Sequence, residues 1–126
     1  MKDYHYQVRI RESAEIIFSA MTNPVTLELW SGFPAVMETV ENSEFTIWGG
    51  DITGKMLKTD RGKMIVQEWN FGPAVKPSIV TLKLDEENGR TLVDLTHTNI
   101  PEEAYDNITT GWREYYFKPL KKFLES

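Results

Sequence analysis

The chain has 126 residues, with 14 basic and 19 acidic side chains and a net charge of −5, so we expect no nucleic-acid partner. It has no cysteine, which excludes disulfides and thiol chemistry, and no apolar run approaches the ~18 residues of a membrane span, so we expect no membrane partner either. The polar N-terminus is unlike a signal peptide, and we expect one cytoplasmic domain over residues 1–126.

The first third of the chain predicts one strand and two short helices. Residues 4–11 alternate between apolar and polar side chains, as in a half-buried strand. Ser13 is a good N-cap for a helix over residues 15–21. Pro24 suits the first turn of a second helix, which ends near Gly32. That second helix carries Leu27, Leu29 and Trp30.

The middle of the chain predicts consecutive strands joined by tight turns, which make neighbouring strands antiparallel. The predicted strands are residues 36–41, 44–48, 52–59, 63–71, 78–85 and 90–98. Turns are predicted at 42–43, 49–51, 60–62 and 87–89, and an irregular loop at 72–77.

Residues 100–126 predict one long amphipathic helix. Its apolar stripe consists of Tyr105, Ile108, Trp112, Tyr115 or Tyr116, Leu120, and Phe123 or Leu124. Such a stripe needs a large surface to lie on, and the strands supply one. We expect Pro119 to kink the helix and Gly111 to mark a close approach of helix and sheet. The predicted fold is α+β: a curved antiparallel sheet of about six to seven strands around this helix, with two short helices after the first strand.

Two motifs resemble a known family. Residues 44–54 (EFTIWGGDITG) and 111–120 (GWREYYFKPL) are similar to the C-terminal domain of the activator of the heat-shock chaperone ATPase. Residues 65–69, 95–101 and 22–24 fit the same family, so the resemblance covers nearly the whole chain. It implies the helix-grip fold of the START-like (SRPBCC) superfamily, and it suggests a stress-response co-chaperone whose partner is a heat-shock chaperone.

The residues that could carry chemistry are few. There are two histidines and no cysteines, so we expect no metal site, and no nucleotide-binding or catalytic motif implies a cofactor or an enzyme. Gly54 is expected to allow a bend or bulge in its strand. His97 shares a strand face with Thr91, Val93 and Leu95, which predicts a hydrogen-bonded histidine that points toward the helix.

Aromatic side chains are the richer signal. Residues 65, 67, 69 and 71 alternate onto one face, which with His97 and Trp112 could line a cavity between sheet and helix. Ordinary core packing is the other interpretation of these residues. The candidate ligand-binding residues are Trp30, Phe33, Trp48, Trp69, Phe71, His97, Trp112, Tyr115 and Tyr116.

Three functions are compatible with these observations. The leading hypothesis is non-enzymatic binding of an apolar or aromatic small molecule in that cavity. The alternative, implied by the resemblance, is a protein-binding module of co-chaperone type. A third is a cyclase-like or hydrolase-like enzyme, as occurs elsewhere in the superfamily, which would need polar groups such as His97 and Tyr115 or Tyr116 to converge. A space filled by side chains would leave only surface binding.

Overall fold

A computed structural model describes residues 1–73 and 75–126, which form one antiparallel sheet and several helices. The strands are β1 (Lys2–Ile10), β2 (Glu44–Ile47), β3 (Ile52–Asp60), β4 (Met64–Trp69), β5 (Ser78–Glu87) and β6 (Arg90–Ile100). The helices are α1 (Ala14–Thr22), α2 (Pro24–Ser31), α3 (Glu102–Thr110) and α4 (Lys118–Glu125), with a π-helical segment (Gly111–Phe117) between the last two and a 3₁₀ turn at Trp48–Gly50. Within the described ranges, no helix is long and apolar enough to cross a membrane.

The six strands follow the order β1-β6-β5-β4-β3-β2, and every neighbouring pair is antiparallel. The β5–β6 turn shows why. Asn88 and Gly89 have φ angles of 56° and 75°, the conformation of a two-residue turn whose twist matches the flanking strands. The turn pairs Glu87 with Arg90 and brings His97 opposite Val80. The α+β fold predicted from the strand order and the tight turns is confirmed.

Both short helices form where their capping residues predict. The Ser13 hydroxyl accepts a hydrogen bond from the Ile16 amide at 3.2 Å at the start of α1. The Asn23 side chain accepts from Val25 at 2.9 Å at the start of α2, and Gly32 ends that helix with a φ of 84°. Of the three apolar residues noted in this second helix, Leu27 and Trp30 are buried, whereas Leu29 is 67% exposed.

The C-terminal helical segments lie across the sheet as one continuous run. In the middle, the Lys118 amide bonds to the carbonyl of Arg113, five residues earlier, so the run widens into a π-helix. Pro119 follows at once; it has no N–H to bond the carbonyl four residues back, which is the physical reason for irregular geometry here. Where Pro119 was expected to kink the helix, the structure has a widened π-helical turn just before it.

Large apolar side chains from every layer meet between the sheet and these helices. The largest fully buried ones include Phe45, Trp69, Leu95, Trp112 and Phe117. Polar contacts tie the end of the run to β1. The Lys121 ammonium donates to the Arg9 carbonyl at 2.8 Å, and a Glu125 carboxylate oxygen accepts from the Arg11 amide at 2.8 Å.

The strand predicted at residues 36–41 is wrong, so the sheet has six strands and not seven. Val36 forms a single bridge with Thr46, and the segment then leaves the edge of β2 without further pairing. The side chains of Val36 and Val40 are exposed, so no alternating pattern of burial holds the segment in register. The other predicted strands are confirmed within two residues at each end. The predicted loop at 72–77 includes Ala74, which lies outside the described residues.

Two predictions about glycines need correction. Gly54 was expected to allow a bend or bulge, but the bulge falls between Met56 and Lys58. A Cβ atom on Gly54 would overlap the carbonyl oxygen of Glu68, so close approach of β4 is what requires glycine. Gly111 was expected at a close approach of helix and sheet, yet no heavy atom lies within 4 Å of where its Cβ would stand.

Candidate functional site

Stacked aromatic rings fill the space between β4 and the π segment. The indole rings of Trp69 and Trp112 lie 4.8 Å apart with an angle of 20° between their planes. Tyr116 approaches Trp112 at 4.7 Å, and Phe117 approaches it at 5.5 Å. All four side chains are buried. The cavity predicted between sheet and helix is therefore occupied in its interior by the protein's own side chains.

A hydrogen-bonded chain runs behind this stack from the helix into the sheet. The Trp112 indole N–H donates to Nδ1 of His97 at 2.9 Å, and Nε2 of His97 lies 2.7 Å from the Ser78 hydroxyl. An indole can only donate, so Nδ1 must be the acceptor and Nε2 carries the proton. His97 therefore donates to Ser78. Burial lowers the pKa of His97 to about 4, which keeps the ring neutral at neutral pH.

The direction of these hydrogen bonds matters for catalysis, because a serine next to a histidine can also be a nucleophile next to its general base. A base must offer an unprotonated nitrogen to the hydroxyl. In this chain that nitrogen of His97 is already bonded to Trp112, on the side away from Ser78. Both His97 and Ser78 are fully buried, and burial also raises the pKa of Tyr116. The cluster as arranged supports the fold and offers no general base to Ser78.

Three of the four indole N–H groups are satisfied inside the molecule. Besides Trp112, Trp69 donates to the Gln67 side-chain oxygen at 2.9 Å and Trp30 to the Ala20 carbonyl at 2.8 Å. Trp48 is only half-buried, and its indole N–H has no acceptor among the residues at 1–73 and 75–126. Trp48 is thus the one tryptophan of these four whose polar edge is available at the surface.

Above the stack, a groove of about 720 Å³ opens to solvent; we call it the aromatic groove. Its floor is formed by Trp69 and Trp112, and its mouth by Phe33 and Tyr115, which are 51% and 65% exposed. The other lining residues are Ser31, Trp48, Asp51, Ile52, Asn107, Ile108, Gly111 and Pro119. The groove therefore has an apolar floor and mouth and a few polar groups on its walls.

The structure brings five of the nine candidate binding residues to this groove: Phe33, Trp48, Trp69, Trp112 and Tyr115. The remaining four, Trp30, Phe71, His97 and Tyr116, do not line it. Trp30 and Tyr116 pack against each other in the core with ring centres 5.0 Å apart, and Phe71 lies 6.2 Å from His97. Of the other residues on the predicted lining face of β4, Ile65 and Gln67 are buried and do not line the groove.

Sequence reasoning named Tyr115 but missed the rest of one wall of the groove, which a recognisable spacing could have found. Asn107, Gly111, Tyr115 and Pro119 follow one another at intervals of four and line the same side. The opposite wall contains Ser31 and residues of the turn after β2, among them Asp51. No local pattern could have predicted that wall, because its position depends on how the turn folds against the helix.

Comparison with known proteins gives the chain a family. A family model described as "Activator of Hsp90 ATPase homolog 1-like protein" matches residues 11–125. A mouse protein named activator of 90 kDa heat shock protein ATPase homolog 2 is 24% identical over 115 residues, which are 90% of this chain and 35% of that protein. A Dictyostelium discoideum protein with a similar name is 24% identical over 108 residues, 82% of this chain and 28% of its own length. This chain spans about a third of the length of these relatives.

Solved structures share the fold. An HSP90 activator from Plasmodium falciparum superimposes with a TM-score of 0.92 at 22% identity, over 99% of this chain and 97% of the other. An Aha1 dimer from Colwellia psychrerythraea gives 0.86 at 23% identity, over 99% and 97%. The helix-grip fold and the resemblance seen in the motifs are confirmed. The chain belongs to the family of activator of Hsp90 ATPase homolog 1-like proteins.

Proposed function

We propose that this chain is a non-catalytic, protein-binding module of co-chaperone type whose partner is a chaperone of the Hsp90 class. The family match over residues 11–125 supports this proposal, as do relatives that are named as activators of the chaperone's ATPase. Because the chain spans about a third of those relatives, stimulation of the ATPase is itself part of the proposal.

The observation that carries the proposal is the filled interior. Trp69 and Trp112 stack at 4.8 Å with Tyr116 beside them, so no enclosed space separates the sheet from the helix at this point. What remains for binding is the open aromatic groove, whose mouth is formed by exposed aromatic side chains. Aromatic residues at the surface are enriched in protein interfaces, which favours a macromolecular partner.

The absence of catalysis in this proposal rests on the direction of one hydrogen bond. His97 donates to Ser78 through Nε2 and accepts from Trp112 at Nδ1. The neutral ring therefore has no free nitrogen lone pair with which to act as a general base. Its pKa of about 4 keeps it neutral at physiological pH. Among the residues that line the groove, the titratable side chains are Asp51 on a wall and the phenol of Tyr115 at the mouth.

A second candidate function is the binding of an apolar or aromatic small molecule in the same groove. The volume of about 720 Å³ favours it, since small-molecule sites commonly measure ~300–1,000 Å³. The apolar floor of Trp69 and Trp112 would suit such a ligand. In this case the ligand would lie at the surface end of the helix and sheet, outside the filled interior.

Calorimetric titration of the chain with a purified Hsp90-class chaperone tests the proposal. We expect saturable binding that weakens as salt rises if charge contributes to the encounter. The same chain is then screened against lipids and polyphenols by thermal unfolding, where a true ligand adds about 2.7 kcal/mol at a hundred times its dissociation constant. Absence of chaperone binding together with a saturable small-molecule response would reject the proposal in favour of the second candidate.

A further inference from the structure

We infer that the aromatic groove is the surface by which this chain holds its protein partner, and that it takes an apolar side chain with a lysine or arginine beside it in the partner's sequence. The inference rests on the proposed function and goes beyond it by naming the contact surface and the chemistry of the bound segment. Four observations lead to it: the exposed mouth, the apolar floor, the carboxylate of Asp51 among the lining residues, and the open space next to Gly111.

The mouth of the groove presents aromatic surface that the fold itself does not use. Tyr115 is 65% exposed although its neighbour Tyr116 is buried, and Phe33 on the other side is 51% exposed. Leu29, four residues before Phe33 in the chain, is exposed as well. Large exposed apolar side chains grouped around a concavity mark binding sites more often than isolated ones do.

The floor determines what kind of group can enter. The indole N–H groups of Trp69 and Trp112 are both committed to internal acceptors, Gln67 and His97, so they have no polar edge to offer a ligand. An apolar side chain can therefore cover the floor without losing hydrogen bonds to water. With about 720 Å³ of volume, the groove leaves room for such a side chain and the backbone next to it.

The negative charge at the groove favours a cationic residue next to the apolar side chain in the partner's sequence. Asp51 is the charged residue that lines the groove; it is exposed, and it makes no salt bridge with any residue in 1–73 or 75–126. Glu103 is an exposed carboxylate four residues before Asn107, so it lies about one helical turn beyond the lining residues of the other wall. The whole chain carries −5. A cationic residue in the partner is the electrostatic complement of this surface.

Gly111 provides a way to close the groove without disturbing the core. It lines the groove, has a helical φ of −57°, and has no heavy atom within 4 Å of the place that a Cβ atom would take. A leucine at this position would stand in the groove, and it suits a helix better than glycine does. Gly111→Leu therefore fills the proposed site in a chain that still folds.

The test uses the full chain, a purified Hsp90-class chaperone, and a blocked pentapeptide of lysine–phenylalanine–lysine with a glycine at each end. Gly111→Leu and Tyr115→Ser are each expected to weaken chaperone and peptide binding by about tenfold or more. Asp51→Asn is expected to weaken both and to flatten their salt dependence. Ile16→Ser and Asp85→Asn, which alter an exposed apolar and an exposed acidic residue outside the groove, are expected to leave both affinities unchanged.

The outcomes separate this inference from the function on which it rests. Chaperone binding that survives both Gly111→Leu and Tyr115→Ser would overturn the groove as the contact surface and leave the proposed function standing. Peptide binding lost in those variants, with no chaperone binding by the unaltered chain, would support the groove and reject the chaperone as its partner. A peptide with glutamate in place of lysine that binds equally well would overturn the cationic requirement.

Discussion

Trp112 and His97 join the C-terminal helical run to the sheet through one buried hydrogen bond of 2.9 Å, from the indole N–H to Nδ1 of the imidazole. Both side chains are almost completely buried. The bond fixes which nitrogen of His97 carries the proton, and through it the direction of the bond to Ser78. This contact therefore ties the helix to the sheet and sets the tautomer of His97.

Trp112→Ala is expected to destabilise the chain by about 3–5 kcal/mol, because it removes a large aromatic ring stacked on Trp69. Trp112→Phe keeps an aromatic ring but leaves Nδ1 of His97 without its hydrogen-bond donor, and we expect a loss of stability of about 1–3 kcal/mol. Urea unfolding measures both changes. Tyr115→Ala, an exposed aromatic three residues along the same helix, is the matched control and should change stability by less than about 0.5 kcal/mol. Equal losses at Trp112 and Tyr115 would contradict the assignment of inner and outer faces.

The pKa of His97 predicts how stability responds to acid. Burial lowers this pKa from 6.5 to about 4 in the folded chain, so the folded state prefers the neutral ring. Above pH 6.5 the ring is neutral in both states and the full stability is present. Between pH 6.5 and about 4 the unfolded state binds a proton that the folded state does not, and about 3 kcal/mol is lost over this window.

His97→Gln removes this titration and keeps a side chain that can accept a hydrogen bond. Urea unfolding from about pH 8 to about pH 4 should show a shallower fall in stability for this variant than for the unaltered chain. His5→Gln changes the other histidine, which is exposed and paired with Asp94, and serves as the control. Parallel curves for His97→Gln and the unaltered chain would show that His97 is not the group responsible.

Substitution by alanine is expected to have opposite effects on stability at Gly54 and Gly111. Gly54→Ala places a Cβ against the Glu68 carbonyl and the Phe45 ring, so we expect a loss of about 1–3 kcal/mol or more. Gly111→Ala adds a methyl group in open space within a helix, so we expect a gain of about 0.5–1 kcal/mol. Thermal unfolding of the two variants side by side measures the difference. A destabilised Gly111→Ala would mean that the groove is closed at this point.

The sheet could be predicted from sequence because its signals are local. Alternation placed Thr91, Val93, Leu95 and His97 on one face, and all four are fully buried. The strand prediction for residues 36–41 was wrong because this segment has a strand-like composition but pairs with a neighbour at a single bridge. Pairing depends on which edge is nearby in the folded chain, and composition alone does not contain that information.

The groove could be predicted only in part, for a similar reason. The aromatic residues were recognised as a group, but helical spacing left open whether Tyr115 or Tyr116 faces inward. The π segment decides the matter. Within this widened segment the side chains of Trp112, Tyr116 and Phe117 are buried, and Tyr115 is exposed at the groove mouth. Asp51 was not predicted as a groove residue, because only the folded chain brings its turn opposite the C-terminal helix.

The four tryptophan indole N–H signals offer a direct view of binding. Trp48 lies on the groove wall without an internal acceptor among the described residues, whereas Trp30 bonds to Ala20 in the core and does not line the groove. In the free chain, the Trp48 proton should therefore exchange with water faster than the others. Hydrogen exchange followed by NMR measures these rates, and equal protection of Trp48 and Trp30 would contradict the position of Trp48.

The most direct test of the account follows those indole signals in ¹⁵N-labelled chain during titration with an Hsp90-class chaperone. We predict that the Trp48 signal moves or broadens first, together with the backbone signals of Phe33 and Tyr115, while Trp30 remains the least affected. Gly111→Leu should abolish these changes at the same chaperone concentration. Saturable binding that leaves Trp48, Phe33 and Tyr115 unperturbed, with changes confined to outward-facing residues of the sheet such as Thr81 and Thr96, would contradict it.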